Sequence, residues 1–129
     1  MAKRLLIIDD SPDIVALLKV TLTAAGYQVR GVMDGMYGMK EALAFSPDLI
    51  ILDICFPAGG GLPLLERFKN NLRTKTIPVL IITALEDEEV EKQAFECGAA
   101  GYLLKPIERQ EVVQEVNRLL ASSPPGVKS

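Results

Sequence analysis

Short runs of aliphatic residues with no polar residue inside them limit the folds open to this chain more than any other feature. They occupy residues 5–8, 49–52 and 78–82, the last after an initial proline. A strand with one face in solvent alternates apolar and polar residues, whereas a strand buried on both faces does not. Strands buried on both faces belong to parallel sheets covered by helices. The runs therefore predict an α/β fold with a buried parallel sheet.

Charged residues follow these runs directly. Asp9 and Asp10 come after the first run, Asp53 after the second, and Lys105 after a shorter apolar segment near the end of the chain. Ligands of open parallel sheets bind beyond the carboxyl ends of the strands, so these four side chains should meet in one pocket. Three carboxylates held together repel one another and lose hydration. The sequence therefore predicts a divalent cation site.

Helical patterns lie between the predicted strands. Ser11 suits an N-cap and Pro12 the first helical position, which predicts a helix near 12–25 that Gly26 ends. A more exposed strand is expected at 27–32, and a fifth strand at 102–104. The other expected helices carry Met39, Ala42 and Leu43; Leu64 or Leu65, Phe68 and Leu72; the acidic segment 86–96; and Val112, Val113, Val116, Leu119 and Leu120.

Composition limits the possible functions. The 129 residues, 49% of them hydrophobic, suit a single domain, which we place at 1–121 with 122–129 as a linker or disordered tail. A net charge of −3 and 5% aromatic residues argue against nucleic-acid binding. No apolar stretch has the roughly 20 residues of a membrane span, and no signal peptide is recognisable. We expect a soluble cytoplasmic protein without membrane contact.

Histidine is absent from the chain. Ser-His-Asp triads, zinc sites of the Cys/His kind and a phosphohistidine intermediate are therefore excluded within it. If phosphoryl chemistry occurs here, this chain receives the group and does not donate it from histidine.

Five motifs in order resemble the receiver domain of two-component response regulators, with the chemotaxis regulators among the most similar in layout. The resemblance covers residues from about 3 to 121. It implies a flavodoxin-like, doubly wound sheet of five parallel strands in the order 2-1-3-4-5. It also implies phosphorylation of Asp53 by the phosphohistidine of a sensor kinase or phosphotransfer protein. The matching residues are Asp9 and Asp10; Asp53 with Pro57 and Gly61; Thr83; Tyr102; and Lys105 with Pro106.

The expected site chemistry is simple, because phosphoryl transfer depends on positioning and charge neutralisation. Asp10, Asp53 and the backbone carbonyl of Cys55 are the expected Mg²⁺ ligands, and Asp9 would hold a metal-bound water. Asp53 would attack phosphorus as a carboxylate nucleophile. Lys105 and Thr83 would bind the phosphoryl oxygens.

The resemblance also implies a switch. Thr83 would move toward the phosphoryl group and the Tyr102 ring into the space it leaves, which changes a surface on the fourth helix, fifth strand and fifth helix, roughly 86–120. An output domain, a target protein or a second copy of the chain would bind there. The bond before Pro106 is expected to be cis. We do not expect the chain to act as an enzyme on external substrates. We expect it to catalyse only its own phosphorylation and dephosphorylation.

Two alternatives remain at this stage. A phosphatase of the haloacid dehalogenase type also uses an aspartate nucleophile after a strand, but it has a general-acid aspartate two residues later, where this chain has Cys55. A receiver-like scaffold that is never phosphorylated usually lacks one of the acidic or lysine positions. Here all of them are present.

Overall fold

The computed structural model describes residues 2–55 and 61–121, so Pro57 and the predicted tail at 122–129 lie outside the described residues. Strands and helices alternate along the described chain, as the sequence predicts. The strands are β1 (Arg4–Ile8), β2 (Gln28–Val32), β3 (Leu49–Leu52), β4 (Val79–Thr83) and β5 (Gly101–Leu104). The helices are α1 (Pro12–Ala24), α2 (Gly38–Phe45) after a short 3₁₀ turn (Gly35–Tyr37), α3 (Gly61–Lys69), α4 (Glu88–Glu96) and α5 (Arg109–Ala121).

The strands form one parallel sheet in the order β2-β1-β3-β4-β5, which confirms the predicted fold. Successive residues of the inner strands point to opposite faces of the sheet. Leu6 and Leu52 pack under α2, α3 and α4, whereas Leu5 and Ile51 pack under α1 and α5. Because both faces are covered, the inner strands have no polar side to show to solvent. None of the described helices combines the length and the apolar character that crossing a membrane requires.

Helix ends follow the signals in the sequence. The Ser11 hydroxyl accepts a hydrogen bond from the Ile14 N–H at 3.3 Å at the start of α1. Gly26 and Gly98, which follow α1 and α4, have φ of +100° and +106°. Only glycine adopts this backbone conformation at little cost. The Asp87 carboxylate caps α4 by accepting from the N–H groups of Glu89 and Val90.

The prediction that Leu72 belongs to the buried face of the third helix is wrong. α3 ends at Lys69, and Leu72 is 82% exposed. The Asn71 carboxamide accepts a hydrogen bond from the Arg73 N–H at 2.8 Å, and the Thr74 hydroxyl donates to the Phe68 carbonyl at 2.6 Å. These local side-chain hydrogen bonds compete with helix continuation and replace it by a turn.

Candidate functional site

The strand register places two of the predicted site residues side by side. Ile8 of β1 is paired with Leu52 of β3, so the residues that follow, Asp9 and Asp53, leave adjacent strands at the same level. The Asp53 N–H donates to the Ile8 carbonyl at 3.0 Å and extends this pairing by one residue. Both carboxylates are largely buried, with Asp9 2% and Asp53 5% exposed.

Lys105 follows the edge strand β5, and its side chain reaches the two aspartates across the carboxyl ends of the strands. Its N–H donates to the Thr83 carbonyl at 2.8 Å, which extends the pairing of β5 with β4. The ammonium lies 2.8 Å from Asp53 Oδ2 and 2.9 Å from Asp9 Oδ2, so one cation pairs with two carboxylates. The Lys105–Pro106 peptide bond is cis, the geometry that the resemblance implies.

Asp10 completes an acidic cluster at the edge of the pocket. Carboxylate oxygens of Asp9, Asp10 and Asp53 lie within 4.8 Å of one another, and Asp10 is exposed while the other two are buried. Lys105 compensates one of the three charges, which leaves two formal negative charges. Clustered carboxylate oxygens with a local charge of this size match the preferences of a hard divalent cation.

The pKa values in the cluster reflect burial and pairing together. Burial raises the pKa of Asp9; hydrogen bonds from the Ser11 N–H, at 2.9 Å, and from Lys105 oppose this shift, and the Asp53 charge adds to it. Burial alone would lower the pKa of Lys105, but the carboxylates of Asp53 and Asp9 outweigh it, and the net shift is upward. Lys105 therefore stays charged at neutral pH.

Thr83 and Cys55 meet behind the acidic cluster. Thr83 is fully buried at the end of β4, and its hydroxyl accepts a hydrogen bond from the Leu85 N–H at 3.3 Å. The Cys55 sulfur lies 3.2 Å from the same hydroxyl oxygen, and either group can donate in this contact. The Cys55 N–H donates to Asp53 Oδ1 at 2.9 Å. Cys55 thus contacts Asp53 through its backbone and Thr83 through its side chain.

Tyr102 lies on β5 beyond Thr83. Its hydroxyl donates to the Leu85 carbonyl at 2.7 Å, and the ring packs against the core under α4. Burial, followed by the neighbouring acidic groups, raises the pKa of Tyr102, so the phenol stays protonated and remains a donor. Leu85 therefore contacts both residues of the predicted switch, Thr83 with its N–H and Tyr102 with its carbonyl.

Gly61 supplies a close approach that a larger residue would block. A Cβ at this position would lie 2.6 Å from Ile54 Cα and 2.7 Å from the Asp53 carbonyl oxygen. The Gly61 N–H donates to the Ile54 carbonyl at 3.0 Å. The first residue of α3 therefore packs directly on the backbone that carries Asp53.

Sequence reasoning missed two contacts of this site. The contact of the Cys55 sulfur with the Thr83 hydroxyl was not predicted. Ser11 was expected only as a helix cap, yet its N–H also holds Asp9. An Asp-x-Ser spacing at a helix start would have been a signal for the second contact, whereas no sequence signal indicates the first.

The parallel five-stranded sheet, with a carboxylate–lysine cluster at the carboxyl ends of its strands, defines a flavodoxin-like α/β fold with a charged site. Comparison with protein families agrees: residues 5–117 match the model of the response regulator receiver domain. The chain belongs to the response regulator receiver domain family of two-component systems. Magnesium and phosphorylation are typical of this family.

Individual relatives support the assignment. The DNA-binding dual master transcriptional regulator RpaA of Synechocystis sp. is 41% identical over 117 residues, which cover 91% of this chain and 48% of RpaA. The crystal structure of a putative response regulator from Chloroflexus aurantiacus is 36% identical with a TM-score of 0.88, covering 95% of this chain and all of that one. The chemotaxis protein CheY4 of Vibrio cholerae is 27% identical with a TM-score of 0.86, covering 92% and 98%.

Proposed function

We propose that Asp53 accepts a phosphoryl group from a phosphohistidine on a partner protein. The observation that carries this proposal is the pairing of one ammonium, Lys105, with Asp53 and Asp9 at the carboxyl edge of the sheet. One Asp53 Oδ atom attacks phosphorus while the bond from phosphorus to the partner's histidine nitrogen breaks and the imidazole leaves. Lys105 then balances the negative charge that the phosphoryl oxygens bring. Thr83, one strand away, supplies a hydroxyl donor to the same oxygens.

The acidic cluster fits magnesium by the chemistry of its donors. Asp10 and Asp53, with the backbone carbonyl of Cys55, would hold the ion, and Asp9 would bind one of its waters. When bound, Mg²⁺ neutralises charge on the phosphoryl oxygens and screens the carboxylates from one another. Lys105 orients the Asp53 and Asp9 carboxylates through its ion pairs with both.

The phosphoryl donor lies on another chain or domain, since this chain has no histidine. A sensor histidine kinase or a histidine phosphotransfer protein is the partner that this chemistry requires. The chain then turns over only its own phosphoryl group and does not act as an enzyme on external substrates.

The output lies on α4, β5 and α5, with Thr83 and Tyr102 as the switch residues. Phosphorylation would favour the conformation in which Thr83 approaches Asp53. This chain spans about half of RpaA and 24% of the response regulator PleD of Caulobacter vibrioides. An attached output domain, a separate target protein or a phosphorylation-dependent homodimer would use this surface.

Incubation with acetyl phosphate and magnesium tests the proposal. Mass spectrometry should show one added phosphoryl group that maps to Asp53, and Asp53→Asn should abolish it. Asp13→Asn, which removes an exposed carboxylate in the first turn of α1, is the matched control and should be phosphorylated normally. No phosphoprotein in the wild type would indicate a binding scaffold, and continuous phosphate release from many phosphate esters would indicate a phosphatase.

A further inference from the structure

The Cys55 side chain forms a connection that the proposed phosphorylation chemistry does not use. Its backbone N–H donates to Asp53 Oδ1 at 2.9 Å, and its sulfur lies 3.2 Å from the Thr83 hydroxyl oxygen. One residue therefore joins the expected acceptor to the expected switch residue. Among the described residues, no other side chain forms a hydrogen bond with the Thr83 hydroxyl.

The Thr83 hydroxyl is held by two contacts inside the protein. The residue is fully buried, and its hydroxyl oxygen is occupied by the Cys55 sulfur and the Leu85 N–H. Movement of this oxygen toward a phosphoryl group on Asp53 requires that it leave the sulfur. The Leu85 carbonyl also accepts a hydrogen bond from the Tyr102 hydroxyl. The same movement would therefore change the hydrogen bond that holds the Tyr102 ring.

We propose that Cys55 is a positioning residue that holds Thr83 in the resting conformation and releases it when Asp53 is phosphorylated. The inference rests on the proposed function of Asp53. A thiol is a weak hydrogen-bonding partner, so it restrains Thr83 without preventing its movement. An aspartate or asparagine at this position would offer a stronger partner, and an alanine would offer none.

Phosphorylation acts on both ends of this connection. Conversion of the Asp53 carboxylate into an acyl phosphate removes the charge shared by Oδ1 and Oδ2, which weakens Oδ1 as an acceptor for the Cys55 N–H. The new phosphoryl oxygens are at the same time strong acceptors for the Thr83 hydroxyl. The weak sulfur–hydroxyl contact is therefore replaced by a charge-assisted hydrogen bond when the group arrives.

The test uses beryllofluoride as a phosphoryl mimic, with magnesium, on protein that contains 3-fluorotyrosine. Fluorine NMR then reports bound fluoride and the Tyr102 ring in one spectrum, and Tyr102→Phe assigns the ring signal. Cys55→Ala should lower the beryllofluoride concentration at the midpoint by about threefold, because the resting conformation loses one weak hydrogen bond. Cys55→Ser keeps a hydrogen-bonding group at this position, so its beryllofluoride midpoint should lie within about twofold of the wild-type midpoint.

A double-mutant cycle separates action through Thr83 from a local effect on the pocket. In a Thr83→Ala background, Cys55→Ala should leave the midpoint unchanged. Cys97→Ala, which removes the other thiol of the chain, is the control and should behave as the wild type. An unchanged midpoint in Cys55→Ala, or an equal decrease with and without Thr83, overturns the inference while leaving the proposed function intact. If the wild type neither binds beryllofluoride nor becomes phosphorylated, the proposed function fails and the inference falls with it.

Discussion

Two half-buried lysines, one in the acidic cluster and one at the end of α3, differ in what surrounds the ammonium. Lys105 pairs with the carboxylates of Asp53 and Asp9 at 2.8 and 2.9 Å. Lys69 instead donates to two backbone carbonyls, those of Ile77 at 2.8 Å and Lys75 at 3.3 Å. No carboxylate of the described residues lies within ion-pair distance of Lys69.

The two pKa values shift in opposite directions. Burial opposes the charged form of both residues, and at Lys69 it lowers the pKa. At Lys105 the two carboxylates outweigh burial, and the pKa is raised. Carbonyl dipoles thus satisfy the donors of a lysine but do not replace a full negative charge. Lys105 is held by ion pairs, whereas Lys69 is held by hydrogen bonds and by the packing of its aliphatic stem.

Lys105→Met should have the largest effect on stability. It leaves two buried carboxylates without a cation, and we expect a loss of about 3 kcal/mol in the free energy of unfolding, the low end of the range for breaking a buried ion pair because Lys105 itself is only half-buried. Urea denaturation with a chelator present measures it, with Lys40→Met on the exposed face of α2 as the control. Lys69→Met should cost less than about 1 kcal/mol. Equal losses at Lys105 and Lys69 would show that the charged partners are not the difference.

Gly98→Ala should come next, because it disturbs the aliphatic stem of Lys69. A Cβ at Gly98 would lie 2.9 Å from Lys69 Cγ, and the residue has a φ of +106°. Gly26→Ala is the matched control, since its φ is +100° and nothing lies within 4 Å of the added Cβ. We expect Gly26→Ala to lower the free energy of unfolding by about 1 kcal/mol through backbone strain. Gly98→Ala should lower it by about 2 kcal/mol, because it adds displacement of the Lys69 side chain to the strain. Equal values would mean that Lys69 moves aside without cost.

Asp10→Asn should stabilise the metal-free protein by about 0.5 kcal/mol. Asp10 adds a third negative charge beside Asp9 and Asp53, and among the described residues it has no ion-pair partner. The same change removes an expected metal ligand, so the rise in melting temperature with millimolar magnesium should shrink. Calorimetry with and without magnesium measures both effects. A variant that melts below the wild type in chelator would contradict mutual repulsion in the cluster.

The smallest expected effect is the pH dependence at Lys69. Its folded-state pKa lies below the ordinary value of 10.5, so between these two values the unfolded chain binds more protons than the folded one. Stability contributed by Lys69 therefore rises as the pH increases through the lowered pKa. The wild type should gain stability relative to Lys69→Met over this range, measured by denaturation in a Cys97→Ser background that removes a nearby titrating thiol. A difference that stays flat or decreases with pH would contradict the shift.

The fold and the acidic cluster were predictable because they depend on few variables. Uninterrupted aliphatic runs require a sheet covered on both faces, and parallel strands bring their carboxyl ends to one edge. Asp9, Asp53 and Lys105 follow strand ends directly, so register alone places them together.

The remaining contacts depend on details that sequence patterns do not carry. The end of α3 before Leu72 is determined by competition between helix hydrogen bonds and the side chains of Asn71 and Thr74. The approach of Cys55 to Thr83 depends on the side-chain directions at the end of β4 and in the segment after β3. A lysine near a helix end is common, and nothing in the sequence indicates that Lys69 spans the turn to the carbonyl of Ile77.

The position of β4 between β3 and β5 in the sheet has a consequence for folding. The Lys105–Asp53 pair joins residues that are 52 positions apart, and it forms only when β5 has joined β4 and β4 has joined β3. Such contacts are entropically costly to close and are made late in parallel sheets. The proposed phosphorylation of Asp53 should therefore require the complete native topology. In a cell, partly folded or truncated copies of the chain would then not compete with the native protein for phosphoryl groups.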